Sequence, residues 1–250
     1  MSVTIPSTPE ILSYQCLSSG NGLLNDILSY WKCDETSGTV LSDSRSNIDL
    51  STSATVNADG RIEKAVDLQS TGVSLSHVYN VTTNINYEDF SYSLWIYPNQ
   101  IPSSAGRTYE LIVCSEEGIG NIFHLSWGTS GYISAGCLNY LEAQYYTDSA
   151  GIYNFTNQWV HLVIVYSLGS KMQLYVNNSN VTASWSTTCP LANYTHSEGT
   201  IFGNLSISGT ERTFDGKIDE IGMWKKALTA DEVSLLYNDG NGLNYNYFTI

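Results

Sequence analysis

Pairs of acidic residues are the side chains in this sequence that could act as acid and nucleophile in hydrolysis. A retaining glycosidase needs two carboxyl groups about 5 Å apart on one face of a sheet. Acidic residues at 88–89, 116–117 and 219–220 are direct neighbours in the chain. Because neighbouring residues of a strand point to opposite faces, these pairs do not predict a catalytic site. No Glu-x-Asp-x-Glu alternation occurs either, and we predict that the protein is not an enzyme.

Histidine and cysteine, the usual nucleophile partners and metal ligands, are spread along the chain. The four histidines, which have no Ser or Cys partner in a recognisable catalytic motif, are His77, His124, His161 and His196. The five cysteines, among which no CxxC pair occurs, are Cys16, Cys33, Cys114, Cys137 and Cys189. This spacing favours neither a zinc site nor a disulfide framework. Since Cys33, Cys114 and Cys137 lie in apolar, strand-like runs, we interpret them as buried free thiols.

Short strands separated by turn residues must position these side chains. The clearest are an apolar run from Trp159 to Tyr166 and, after a Gly turn, an alternating partner from Met172 to Val176. This pattern predicts a β-hairpin. Similar runs lie at 29–33, 65–68, 72–76, 91–97, 109–114, 121–127, 131–138, 142–147, 180–185, 200–203 and 214–224. Many short strands at regular spacing predict a β-sandwich or barrel.

One helix is marked near the end of the chain. Thr229-Ala-Asp-Glu232 has the spacing of a capping box, in which the Thr hydroxyl and the Glu carboxylate satisfy each other's backbone N–H groups. Val233 and Leu236 then fall on one face, and Gly240 ends the helix. A weaker pattern predicts a second helix from Ser7 to about residue 17.

The charge of the chain excludes several classes of partner. The net charge is −14, from 24 acidic and 10 basic residues. Nucleic acids and anionic membranes need a basic patch, so we expect neither as a partner. No apolar run approaches the roughly 20 residues that span a bilayer, which predicts no membrane insertion. An acidic surface suits divalent cations and neutral ligands.

Sequence signatures at the two ends of the chain resemble a known family. The first reads LSYWKCDE at 28–35, and the last reads FDGKIDEIGMW at 214–224, followed by KALT at 226–229 and LYNDG at 236–240. Between them lie GRIEKAV at 60–66, FSYSLWI at 90–96 and NQWVH at 157–161. In this order they resemble the laminin-G-like, concanavalin A-like jelly-roll family over residues 28–243. The resemblance implies an all-β fold, an antiparallel sandwich with one short C-terminal capped helix.

The tryptophans divide into two groups by their surroundings. Four lie in the patterned strands, and we expect them to fill the core between the sheets; they are Trp31, Trp95, Trp159 and Trp224. Trp127 and Trp185 lie in less patterned sequence and are predicted to be exposed.

The family resemblance also implies a structural calcium ion near the joined ends of the chain. Its ligands would be Asp43 and Asn47 in the turn after the first strand, Asp219 in the last strand, and Asp34. Calcium takes six to eight oxygen ligands, including carboxylates and Asn side chains. The family turn reads D-S-S-G-N, whereas this chain has Arg45 and Ser46 at the third and fourth positions. Alternatively, these acids cap turns by accepting hydrogen bonds from backbone N–H groups.

By analogy with the fold, the predicted function is a non-enzymatic module that binds glycans or another surface ligand. Sugars stack on aromatic rings, and the predicted ligand-binding residues are Trp127, Tyr140, Tyr145, Tyr146 and Trp185. Two alternatives stay open. One is a structural or decoration protein that packs on an assembly, and the other is a glycoside hydrolase, which the carboxylate spacing disfavours.

We predict two parts in the chain, an N-terminal extension at 1–28 and a jelly-roll domain at 29–250. The tetrapeptide GNGL occurs at 20–23 and again at 240–243, so the extension echoes the closing segment of a module and is predicted to dock on a partner. The N-terminal sequence MSVTIPSTPE has no basic or apolar leader. We therefore expect a phage virion surface protein, a head decoration or fibre, with viral structural proteins or cell-surface glycans as partners. An extracellular bacterial lectin is the alternative.

Overall fold

A computed structural model describes most of the chain. The described residues are 22–68, 78–80, 89–102, 108–116, 120–138, 144–149, 151–184, 188, 199–203, 206–207, 210–211 and 214–248. Their strands are β1 (Ile27–Trp31), β2 (Val40–Leu41), β3 (Leu50–Thr52), β4 (Thr55–Asp59), β5 (Lys64–Asp67), β6 (Val78–Asn80), β7 (Phe90–Pro98), β8 (Thr108–Glu116), β9 (Gly120–Gly128), β10 (Ile133–Leu138), β11 (Gln144–Asp148), β12 (Val160–Tyr166), β13 (Gln173–Val176), β14 (Ser179–Asn180), β15 (Gly199–Phe202), β16 (Ser206–Ile207), β17 (Thr210–Glu211) and β18 (Gly216–Trp224). The α-helix is α1 (Ala230–Tyr237).

The strands form two large antiparallel sheets and one small hairpin. Sheet 1 has the order β14-β13-β12-β7-β18-β5-β4, and β1 also pairs with β18. Sheet 2 has the order β11-β10-β9-β8-β15-β6-β3-β2. The hairpin is β16-β17. The pairing of β1 with β18 brings the two family-like end motifs side by side, in agreement with the joined chain ends that the resemblance implies.

The main core lies between the two sheets. Alternate side chains of β7, including Leu94 and Ile96, are fully buried there, and side chains of β9 such as Phe123 reach them from sheet 2. The rings of Tyr92 and Phe123 stack across the sheets with centroids 5.6 Å apart. Period-2 alternation in β7 and β12 therefore separates an inner face from an outer face of sheet 1.

A second cluster covers much of the outer face of sheet 1. Helix α1 lies on it through Val233 and Leu236, both buried against Trp224 of β18 and Val163 of β12. The predicted capping box is confirmed, since Thr229 accepts from the N–H of Glu232 and that Glu side chain accepts from the N–H of Thr229. Sheet 1 is thus buried on both faces wherever the helix lies over it.

The helix cover explains why the predicted tryptophan core is only partly correct. Trp31 lies in the core between the sheets. Trp224 is buried on the outer face, in the cluster under α1. Trp95 also faces outward, where it stacks on His161 and Tyr237 with centroids 4.9 Å and 5.8 Å away. Trp159 is only half-buried. Trp95, Trp159 and Trp224 lie on the outer face because residues alternate between the two faces of a strand, and the neighbours of these three residues point inward.

The folded domain includes residues before the predicted boundary at 29. Leu23 and Ile27 are 3% and 7% exposed, and the indole N–H of Trp224 donates to the Leu23 carbonyl at 2.8 Å. Residues 22–28 therefore pack as part of the sandwich. The docking role of the preceding segment stays a prediction, because residues 1–21, with the predicted helix from Ser7, lie outside the described residues. The strand predicted at 72–76 lies outside them as well.

Cys33 and Cys114 are buried free thiols, as predicted. The side chain of Cys137 is not among those described, and Cys16 and Cys189 lie outside the described residues. In the part of the chain that the structure describes, no helix has the length and apolar character to cross a bilayer.

Candidate functional site

Asp43 was predicted to bind calcium, but its carboxylate is occupied by backbone groups. Its Oδ1 accepts from the N–H groups of Tyr30 and Arg45, both at 2.9 Å. Its Oδ2 accepts from the N–H groups of Asn47 and Ile48 at 3.1 Å and 3.0 Å. These bonds use about all four lone-pair sites of the carboxylate. Asp43 therefore closes the turn itself, which is the alternative that the sequence left open.

The other predicted calcium ligands also make hydrogen bonds within the protein. The amide nitrogen of Asn47 donates to the carbonyl of Leu28 at 2.6 Å. Asp34 lies beside β5, where its Oδ1 accepts from the N–H of Lys64 at 3.0 Å. The ammonium of Lys32 lies 3.3 Å from the other oxygen of Asp34, near enough for an ion pair but without hydrogen-bond alignment.

Asp219 lies with Glu220 in a buried part of β18. Its Oδ2 accepts from the N–H groups of Arg61 and Ile62 at 2.7 Å and 3.0 Å, while its Oδ1 is buried without a hydrogen-bond partner. The hydroxyl of Tyr30 donates to Oε2 of Glu220. Burial, and then the negative charge of Asp219, raises the pKa of Glu220 to about 9. Glu220 is therefore protonated at neutral pH.

The hydrogen bonds place the four predicted residues in two groups, Asp43 with Asn47 and Asp34 with Asp219 near residues 61–64. Among the described residues, no group of three or more His, Cys, Asp and Glu side chains is arranged to hold a metal ion. Calcium binding thus stays a prediction from the resemblance. Calorimetric titration of chelator-treated protein with calcium chloride tests it.

The bulge in β18 corrects the reason given for excluding catalysis. Between Asp219, opposite Trp95, and Gly222, opposite Ser93, the strand has one extra residue, and Glu220 has a left-handed backbone with φ 49°. The bulge breaks strict alternation, so Asp219 and Glu220 are both buried, at 0% and 2% exposure. The prediction that neighbouring acids face opposite sides therefore does not hold for this pair.

Among the predicted aromatic ligand-binding residues, the structure describes the side chain of Trp127 alone. Trp127 is 0% exposed, and its ring packs between Tyr109 and Phe155, so the prediction that it is exposed is wrong. The prediction failed because the apolar partners of Trp127 come from other parts of the chain and cannot be seen in its polar sequence neighbours. Tyr140 and Trp185 lie outside the described residues, and Tyr145 and Tyr146 are described only as backbone positions on β11, opposite Cys137 and Gly136.

The structure shows a different aromatic surface on the outer face of sheet 1, where α1 ends. Directly opposite residues of antiparallel strands share a face, and Lys217 of β18 lies opposite both Tyr97 of β7 and Asp67 of β5. Asp67 in turn lies opposite Thr55 of β4. On the other side, the ring of Trp159 lies 5.5 Å from that of Tyr97. We call these five residues the open strip.

The helix does not cover the open strip, because α1 ends over Trp95, the outward residue of β7 that precedes Tyr97. Tyr237, the last residue of α1, stacks on Trp95, and the guanidinium of Arg61 lies 5.2 Å from the same ring. Tyr97 is the next outward residue along β7 and is half-buried, as are Trp159, Lys217 and Asp67, whereas Thr55 is exposed. The ammonium of Lys217 lies 5.3 Å from the centre of the Tyr97 ring, where a cation is attracted to the ring face.

Sequence reasoning missed the open strip, although part of the signal was present. Tyr97 follows Trp95 by two residues in an alternating strand, which places both on one face. Lys217 precedes the core residue Ile218 and therefore points outward. The sequence does not show which outward residues the helix covers, and this decides which aromatic rings are open.

Comparisons with known proteins agree with this architecture. A family model described as the concanavalin A-like lectin/glucanases superfamily matches residues 68–234. No curated protein matches the chain. The binding domain of Paraclostridial Mosquitocidal Protein 1 has a similar structure, with 18% identity and a TM-score of 0.67 over 86% of this chain and 52% of that chain.

Two further solved structures are similar in fold. Domain 4 of AbnA, a GH43 extracellular arabinanase from Geobacillus stearothermophilus, was solved in complex with arabinotriose; it is 18% identical, with a TM-score of 0.63 over 87% of this chain and 98% of that chain. A mutant Trypanosoma rangeli sialidase is 13% identical, with a TM-score of 0.62 over 88% of this chain and 34% of that chain. This chain therefore spans about half or less of the mosquitocidal binding domain and the sialidase.

The family match covers more than half of the chain, and the two antiparallel sheets with one short C-terminal helix form the jelly-roll sandwich that the end motifs predicted. The chain belongs to the concanavalin A-like lectin/glucanase superfamily.

Proposed function

We propose that this protein is a non-enzymatic carbohydrate-binding module that recognises surface glycans through the open strip. The observation that carries the proposal is the pair of half-buried rings, Trp159 and Tyr97, which lie beside a cation and a carboxylate on a face that the helix leaves uncovered. Elsewhere in the described part of sheet 1, the outward aromatic residues Trp95 and Trp224 are buried.

The chemistry of the open strip suits a sugar. One face of a pyranose ring carries mainly C–H groups, which pack on aromatic rings, while its hydroxyls need donors and acceptors. Trp159 and Tyr97 provide the rings. Lys217 provides a donor and Asp67 an acceptor on the next two strands. Superfamily membership and the sugar-bound arabinanase domain support this assignment.

A binding role without catalysis is supported by the burial of the acids. Asp219 and Glu220 are the adjacent acidic pair of β18, and both are buried. A glycosidase needs one carboxyl group to protonate the leaving group and another to act as nucleophile or base. The carboxyl groups of Asp219 and Glu220 are 0% and 2% exposed, which disfavours direct contact with a sugar. A reducing-sugar assay on β-glucans and arabinans is expected to show no hydrolysis, and release of sugar would contradict this part of the proposal.

A glycan array with fluorescently labelled protein tests the binding role. We expect binding to a family of glycans by the wild type and loss of most of the signal in Trp159→Ala. The matched control is Tyr247→Ala, which removes an aromatic ring that is 62% exposed and lies outside the open strip. The proposal fails if no glycan is bound, or if Trp159→Ala and Tyr247→Ala bind as the wild type does.

We further propose that the module acts on the surface of a phage virion, with an extracellular bacterial lectin as the alternative. The low charged fraction of 14% and the acidic surface are compatible with exposure on a particle. Viral structural proteins would then be its partners, in addition to glycans. Mass spectrometry of purified virions tests the location, and absence of the chain from intact particles would overturn it.

A further inference from the structure

Assuming the proposed function, we infer that the open strip takes an extended, neutral oligosaccharide chain that runs across the strands, and not a terminal monosaccharide. The strip is continuous over five neighbouring strands of sheet 1. In spatial order it runs from Trp159, just before β12, through Tyr97, Lys217 and Asp67 to Thr55 on β4.

The length of the strip sets the length of the ligand. Neighbouring strands lie roughly 4.8 Å apart, so four intervals span roughly 19 Å. A sugar unit in an extended chain is about as long as one strand spacing, so the strip matches a chain of about four units. A monosaccharide would contact only one or two of the five positions.

The chemistry changes along the strip. At one end the two rings, Trp159 and Tyr97, offer apolar faces for stacking. At the other end, Asp67 and Thr55 offer polar oxygen atoms opposite each other. The rings would therefore anchor the first units of a chain, and the polar end would contact the hydroxyls of later units.

The charges of the strip balance, which favours a neutral chain. Lys217 lies directly opposite Asp67, so one positive and one negative charge occupy neighbouring positions. The ammonium of Lys217 also donates to the carbonyl of Asp59 at 3.3 Å. With a net charge of −14 on the whole chain, a polyanionic glycan would be repelled.

The borders of the strip set the direction of the chain. On one side, Tyr237 and Arg61 cover Trp95, the outward residue that precedes Tyr97 on β7. On the other side, the amide of Asn99 donates to the carboxylate of Asp215 at 2.9 Å, forming a polar rim in the next row. Between these borders, the open direction is across the strands.

Isothermal titration calorimetry with cello-, malto- and arabino-oligosaccharides of one to six units tests the inference. For the series that binds, we expect the association constant to rise by roughly tenfold or more from one unit to four and then to level off. Trp159→Ala should weaken all lengths. Asp67→Asn and Thr55→Ala should weaken the tetrasaccharide by several-fold but leave the disaccharide unchanged, and thermal unfolding of each variant checks its fold.

The outcomes separate this inference from the proposed function. A monosaccharide that binds as tightly as the tetrasaccharide would overturn the extended-chain inference but leave glycan binding intact. Equal loss at all lengths in Asp67→Asn and Thr55→Ala would overturn it as well. Preference for the same chain oxidised to uronic acids would overturn the neutral ligand. Absence of binding for every series and every array glycan would overturn the proposed function itself.

Discussion

Replacing the buried carboxyl group of Glu220 should stabilise the protein at neutral pH. In the unfolded chain this carboxyl group has the ordinary pKa of 4.5, whereas in the folded protein burial and Asp219 raise it to about 9. Between these two values the folded state binds the extra proton. The free energy of unfolding therefore falls as the pH rises through this window, by about 1.4 kcal/mol per pH unit.

The substitution Glu220→Gln removes this dependence. Gln keeps an oxygen that accepts from the hydroxyl of Tyr30 but has no proton to lose. From pH 4.5 to pH 7 the wild type loses about 3 kcal/mol that the variant keeps. Any packing difference between the two side chains adds an offset that does not vary with pH. The expected result is a stability difference in favour of Glu220→Gln that grows with pH.

Urea unfolding followed by tryptophan fluorescence at pH 5, 6, 7 and 8 measures this difference. The matched control is Glu63→Gln, because Glu63 also has a left-handed backbone, with φ 50°, but is exposed. The control should follow the wild type at every pH. If the curves of the wild type and Glu220→Gln run parallel from pH 5 to 8, Glu220 does not keep its proton and the reasoning fails.

Three further substitutions test other parts of the fold. Asp43→Ala removes the acceptor of four backbone N–H groups and should lower the free energy of unfolding by about 2–4 kcal/mol in urea titrations; an unchanged midpoint would contradict the structural role of this turn. Thr229→Ala breaks the capping box and should cost about 1 kcal/mol, measured by thermal unfolding against Thr229→Ser, which should keep the cap. Trp127→Ala leaves a cavity in the core and should lower the free energy of unfolding by about 3–5 kcal/mol. The folded variant should still bind glycans in calorimetry. Loss of glycan binding without loss of stability would show that Trp127 contacts the ligand.

The sequence predicted the architecture because several of its signals are local and agree with one another. The apolar run from Trp159 with its alternating partner from Met172, the capping box at Thr229 and the end motifs each specify one element or one contact. The pairing of β1 with β18 then follows from the end motifs. The start of the helix and the fold class were predictable on this basis, whereas the helix ends at Tyr237, before the predicted Gly240.

The details of the site could not be predicted, because they depend on contacts between distant residues. Gly222 borders the bulge in β18, and a glycine inside a strand can mark a bulge. The sequence does not show that Glu220 has the left-handed backbone. An acid in a turn, such as Asp43, has the same sequence signal whether it binds a cation or backbone N–H groups. Which of the two it binds depends on where the N–H groups of Tyr30 and Ile48 lie after folding.

The left-handed backbone of Asn238, with φ 47°, ends α1 and thereby determines how wide the uncovered surface is. One further helical turn would add about 5.4 Å, close to the roughly 6.6 Å between successive outward residues of a strand. A helix one turn longer would therefore reach over Tyr97 and close the aromatic end to ligands. Insertions or deletions after Tyr237 thus offer evolution, or a protein engineer, a way to change the width of the ligand surface without altering the sheets.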